Sequence, residues 1–198
     1  MGARSELAAT EARVFQAYWQ DGVLDLLAGG STLLIGLGWL AGFVLASVVV
    51  PPLAIVSWPI LRQRITHPRL GRVRFNAHRR FRMRHGMIAV LSLGVLLFGF
   101  FALHFGVGHL PPFPRWLAPG IPALLLAALA LSAAEALRLA RFALYGIGFI
   151  AAALVVSGLD ADPGWALAGG GAIAAANGAR MLVAFLRDFP MLAAEMDK

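Results

Sequence analysis

Residues 23–61 read VLDLLAGGSTLLIGLGWLAGFVLASVVVPPLAIVSWPIL, and this stretch decides the fold. Its 39 residues carry a single charge, Asp25. A helix of about 20 residues crosses the roughly 30 Å hydrocarbon core of a bilayer. The stretch is therefore too long for one span and the right length for two. Paired glycines allow a tight reversal, so the turn is expected at Gly36-Leu37-Gly38-Trp39, between helices over 22–37 and 40–60. Pro51 and Pro52 fall inside the second helix. Each removes a backbone donor and crowds the preceding turn, so a kink or break is expected there.

The flanks extend the pattern. Residues 5–20 have the spacing of a short amphipathic helix, with Leu7, Val14, Phe15 and Tyr18 on one side, and Tyr18 and Trp19 suited to an interfacial aromatic belt. Residues 62–85 hold nine arginines and three histidines. Further apolar blocks follow at 86–105, 119–137, 142–159 and 164–186. The expected fold class is all-α, a polytopic transmembrane helical bundle of about six spans, arranged as three helical hairpins. The expected layout is an interfacial N-terminal helix over 1–21, a hairpin over 22–61, an arginine-rich loop over 62–85, four more spans within 86–187, and a tail over 188–198. A five-span alternative runs the first helix over 27–50, lays 51–61 in the interface and moves the N-terminus outside.

Composition agrees. The chain is 60% hydrophobic and 14% charged, with mean hydropathy +0.77. A soluble domain is about 45–50% apolar and about 25% charged. Cysteine is absent, which removes disulfides, thiolate metal sites and cysteine nucleophiles. Arginine makes up sixteen of the seventeen basic residues; with abundant Ala, Gly and Leu this points to a GC-rich bacterial genome. The start lacks a signal peptide's clean cleavage site, and Glu6 stands where a myristoylation motif needs Ser or Thr.

Cytoplasmic loops of membrane proteins collect Lys and Arg. Six spans with both termini inside place every basic residue but Arg115 at the inner side. The expected location is thus a bacterial inner membrane, with residues 62–85 facing the cytoplasm.

Two sets of residues are candidates for function. Arg62, Arg64, Arg69, Arg72, Arg74, Arg79, Arg80, Arg82 and Arg84 suit anionic lipid at the inner leaflet, each basic residue contributing about 1 kcal/mol. The same loop suits an acidic protein partner, while nucleic acid is disfavoured. The second set is Asp25, Gly29, Gly30, Ser31, Thr32, Pro51 and Pro52. Broken helices expose backbone groups that can bind ions or substrates near the midplane, and an acid inside a span is a functional candidate by default. Asp21 and Asp25 share a helix face, and Asp25 is expected to accept from Arg13 or from an arginine of the loop.

Other features have plainer readings. His67, His78 and His85, and His104 with His109, match no metal spacing. Glu135 and Arg138 can pair at i, i+3, Arg180 can snorkel to the inner surface, and Asn177 needs a partner on another helix. Gly170, Ala174 and Gly178, with Gly171, Ala175 and Ala179 beside them, mark a close-packing seam within or between chains. Arg13-Phe15…Gly22, Arg80-Phe81…Gly86 and Arg141-Phe142…Gly146 form a faint repeat, as helix starts at an inner face also would.

The stretches Tyr18-Trp19-Gln20-Asp21-Gly22-Val23-Leu24-Asp25 and Ile65-Thr66-His67-Pro68-Arg69-Leu70-Gly71-Arg72-Val73-Arg74-Phe75 resemble segments of small, uncharacterised bacterial polytopic membrane proteins. The resemblance covers about the first 85 residues and implies no activity, cofactor or site. No GxSxG elbow, HExxH motif, phosphate loop or pair of deep carboxylates occurs, so an enzyme is not favoured and no cofactor or metal is expected. The leading expectation is an interaction, regulatory or accessory subunit, alone as a homo-oligomer or within a larger membrane complex. A small oligomeric transporter or channel comes second, and an intramembrane lipid-modifying enzyme third.

Overall fold

A computed structural model describes residues 19–43, 45–70 and 115–190. All regular structure among them is helical: α1 (Val23–Leu40), α2 (Ala46–Ile65), the short α3 (His67–Leu70), a 3₁₀ turn (Arg115–Gly120), α4 (Ile121–Leu137), α5 (Ala140–Gly158) and α6 (Pro163–Asp188). Five helices are long and apolar enough to cross a membrane, α2 and α3 together making one of them. The expected span at 86–105 and most of the interfacial helix at 1–21 lie outside the described residues.

The ends of these helices follow from local chemistry. Asp21 Oδ1 accepts from the Val23 N–H at 3.1 Å, satisfying one donor that the helix itself cannot. At the other end of α1, Gly42 N–H donates to Trp39 O at 2.9 Å and Phe43 N–H to Gly38 O at 2.7 Å. Gly42 sits at φ +75°, the left-handed position this Schellman termination requires. The turn thus falls at Gly42 and not at Gly36–Trp39 as expected. Gly36 stays helical because it serves packing: a Cβ there would strike the Ala168 backbone.

Of the kink or break expected at Pro51 and Pro52, the break is absent. Helical geometry runs unbroken from Ala46 through both residues, and through Pro59, to Ile65. Both prolines lie beyond the first turn of α2, so each forgoes one backbone bond of the ladder, yet the helix continues through them. α1 is likewise continuous through Gly29 and Gly30. Arg62 and Arg64 belong to the last turn of α2, and not to a loop, where a cation complements the helix dipole.

Arg138 ends α4 in left-handed geometry (φ 53°, ψ 45°), which takes it off the helical face where it was expected to meet Glu135. Asp162 starts α6, its Oδ1 accepting from the Gly164 N–H at 2.7 Å. Of the repeat of Arg, aromatic and Gly, the described glycines differ: Gly22 precedes α1 at φ +74°, whereas Gly146 lies inside α5 against Leu131; Arg13, Phe15, Arg80, Phe81 and Gly86 lie outside the described residues.

The chain forms two compact units. In the first, comprising Met1–Ile35, Val44–Phe75 and Gly171–Lys198, α1 packs antiparallel on α6 through glycines. A Cβ on Gly29 would strike Ala174 and Ala175; one on Gly171 would meet Leu33 and, at 2.8 Å, Gly29 O; one on Gly178 would meet Leu26. Gly22 in turn abuts Gly178 and Leu182. The seam therefore lies within the chain, and glycines seven residues apart form it. Two helical turns cover about 7.2 residues, so such positions stay on one side.

In the second unit, Gly36–Phe43 and Asn76–Gly170, the core is Ala123, Ala127, Phe149, Ala153, Val156 and Ala166. Gly36 meets Ala168 and Gly164, and Gly170 meets the Phe149 ring. Small residues dominate the core, so large apolar side chains point outward: Leu144 and Ile173 are each 68% exposed, and Leu53 is 61% exposed. A water-soluble fold would bury such groups, whereas a helix that crosses a bilayer presents them to lipid.

Candidate functional site

The first unit holds a buried polar cluster at the start of α1 and the end of α2. Trp58, Arg62 and Thr66 follow one another at four-residue steps, so they form a stripe on α2 that runs into its C-terminal cap. Asp21 faces that stripe. Its Oδ2 accepts from the Thr66 hydroxyl at 2.8 Å and from Arg62 Nε at 3.4 Å. The Arg62 guanidinium lies 4.5 Å from the centre of the Trp19 ring and 5.2 Å from that of Trp58. The two indoles are 6.0 Å apart at 44°. Asp21 and Thr66 are fully buried, and Trp19, Asp25 and Arg62 nearly so.

Physics explains why this cluster holds. A buried charge is tolerated only when paired and hydrogen-bonded. Asp21 has the arginine, a hydroxyl and a backbone N–H on its two oxygens. Arg62 lies near two aromatic rings that are themselves in contact, a favourable setting for a weakly hydrated cation. Apart from the half-buried Trp58, no group of the cluster is more than 8% exposed; chemically the arrangement is a clamp joining the open end of the α1–α2 hairpin.

The expectation for this region was only partly right in its residues. Arg62 forms its ion pair with Asp21, one turn nearer the helix start than Asp25. Asp25 is buried beside it. Trp19 is a buried wall of the clamp and not an exposed belt residue. The register of Trp58, Arg62 and Thr66 was available in the sequence as the signal for this stripe.

A second feature of the same unit is a groove of about 270 Å³ between α1 and α2. Leu26, Leu27, Gly30, Ser31 and Leu34 line it from α1, and Val50, Leu53, Ala54 and Ser57 from α2. Gly30 and Ser31 are thus brought to one cavity. The other candidates of that set lie elsewhere: Gly29 in the α1–α6 seam, Asp25 beside the clamp, and Thr32 with its hydroxyl donating to Ala28 O at 2.9 Å. Pro51 and Pro52 lie on α2 next to the groove residue Val50 without lining the groove.

Of the arginine set, Arg62 is buried, Arg64 exposed and Arg69 half-buried, with Arg69 Nη1 donating to Ile65 O at 2.9 Å. Arg72, Arg74, Arg79, Arg80, Arg82 and Arg84 lie outside the described residues, as do His78, His85, His104 and His109. Asn177 finds partners on its own helix, donating to Met181 Sδ at 3.7 Å and accepting from Arg180 Nη2 at 3.3 Å.

Comparison with protein-family models, with curated proteins and with solved structures returns no match to this chain.

Proposed function

We propose that the chain is a multi-pass protein of a bacterial inner membrane, with both termini and residues 62–85 on the cytoplasmic side, acting as an interaction or accessory component held to anionic lipid by its arginines. The observation that carries this reading is the clamp at the root of the arginine-rich segment. Arg62 is fixed against Asp21, Thr66 and two indoles, and eight further arginines follow by position 84. A segment leaving from a fixed base at a helix end starts at the depth of that end, where an anionic surface would attract its charges.

The transporter reading draws less support. Asp25, Gly29, Thr32 and Pro52 do not converge, and the groove that takes in Gly30 and Ser31 is apolar except for the hydroxyls of Ser31 and Ser57. A hydrated ion would lose its water there without replacement.

The test uses the full chain in nanodiscs containing phosphatidylglycerol and phosphatidylcholine. Replacing Arg72, Arg74, Arg79, Arg80, Arg82 and Arg84 together by glutamine is expected to lower the enrichment of phosphatidylglycerol around the protein by about tenfold or more, given about 1 kcal/mol per arginine and incomplete additivity. The wild-type enrichment should also weaken at high salt. An enrichment unchanged by the six substitutions would overturn the reading and turn attention to an acidic protein partner.

A further inference from the structure

The groove between α1 and α2 ends in line with an arginine. Val50, Ser57 and Arg64 stand seven residues apart on α2. At 100° per residue each step falls only about 20° short of two full turns, so the three lie on one stripe. Val50 and Ser57 line the groove, and Arg64 is exposed at the helix end. Each step is also about 10 Å along the axis. The groove therefore occupies the zone about 10–21 Å from the level of Arg64, and one leaflet of hydrocarbon is about 15 Å deep.

We propose that the groove and Arg64 form a site for one anionic phospholipid, an acyl chain lying against Gly30, Ser31 and Ala54 while the phosphate meets the guanidinium. The inference rests on the reading of the arginines as lipid contacts, and adds to it a defined subsite.

Three observations select this occupant. The walls are apolar except for the Ser31 and Ser57 hydroxyls, so an acyl chain loses no hydration on entering. Arg64 is the cation at this end of α2 in line with the groove, and it has no hydrogen bond or ion pair among the described residues, whereas Arg62 is bound to Asp21 and Arg69 gives one N–H to the Ile65 carbonyl. Charge complementarity then favours a phosphate, which an arginine can hold bidentately. Finally, a Cβ built on Gly30 meets nothing within 4 Å, so this glycine leaves open space that the packing of α1 does not use.

Gly30 supplies a clean test, because it lines the groove and a side chain added there starts in open space, with nothing within 4 Å of its Cβ. The full chain is incorporated into nanodiscs of equal phosphatidylglycerol and phosphatidylcholine with matched acyl chains, extracted in mild detergent, and its retained lipid counted by native mass spectrometry. The wild type is expected to retain one phosphatidylglycerol. Gly30→Leu and Arg64→Gln should each reduce retention about fivefold, with thermal unfolding unchanged, and Arg64→Lys should restore most of it. If Arg64→Gln acts and Gly30→Leu does not, the headgroup contact stands and the groove site is refuted. Equal retention of the two lipids in the wild type would overturn both the site and the lipid reading of the arginines. A change from monomer to dimer on Gly30→Leu, or the reverse, would assign the groove to a second copy of the chain and refute the lipid.

Discussion

Asp21→Ala is expected to destabilise the protein by about 3–5 kcal/mol, the cost of breaking a buried ion pair from one side. The substitution removes the carboxylate paired with the Arg62 cation, whose side chain is 9% exposed, and leaves the Thr66 hydroxyl without this acceptor. It also removes the acceptor for the Val23 N–H at the start of α1. A domain's whole stability is about 5–15 kcal/mol, so the loss should be visible as a large fall in the unfolding temperature of the detergent-solubilised chain. Asp21→Ala combined with Arg62→Met should recover part of it, because the second change removes the stranded charge. Asp188→Ala, at an exposed site on the last turn of α6, should stay within about 0.5 kcal/mol of wild type. An Asp21→Ala protein that melts with the Asp188→Ala protein would show that the clamp contributes nothing.

Gly171→Leu is the second large effect. A Cβ at this position would sit 2.8 Å from both Gly29 O and Leu33 Cα, and still closer to Leu33 N. These are backbone atoms, which cannot turn aside as a side chain would, so α1 and α6 must separate along a seam that also includes Gly178. Overpacking costs about 1–3 kcal/mol when side chains can yield, and this contact lies at or above the upper end. Gly169→Leu is the matched control. It adds the same side chain two residues away, where nothing lies within 4 Å, and should be neutral or gain up to about 1 kcal/mol in helix propensity. Equal melting of the two variants would contradict the glycine seam.

Much of the fold was legible because it depends on length and polarity alone. The apolar blocks at 119–137, 142–159 and 164–186 correspond to α4, α5 and α6 within a few residues. The first hairpin was legible as a hairpin, but its turn was misplaced by several residues. Glycine has two uses, a positive φ at Gly42 and close helix approach at Gly36, and the local sequence does not say which glycine does which. The seam on α6 was noticed as a run of small residues, yet its working period is seven and not four, because the facing glycines of α1 repeat at seven. The prolines do not end α2, which also runs through Pro59: a proline costs one backbone bond of the ladder, and that loss alone does not set a helix boundary.

The candidate site was less legible. The arginine-rich segment and Asp25 were both singled out, but the pairing of Arg62 with Asp21 was not. The choice between two carboxylates on one face is a matter of tertiary register between α1 and α2, which no local pattern carries. The groove could not be foreseen at all, since it exists only where Gly30 of one helix stands opposite Ala54 and Ser57 of another.

The absence of cysteine makes a direct test of the membrane assignment straightforward. Single cysteines placed at Leu53, Leu154 and Ile173, all more than half exposed, can carry a spin label in the protein reconstituted in liposomes. Collisional relaxation should show high accessibility to oxygen and low accessibility to a water-soluble nickel chelate at all three, as for side chains immersed in hydrocarbon. High chelate accessibility at these sites, equal to that of a label at exposed Asp160, would mean that water surrounds the helices and that they do not cross a bilayer.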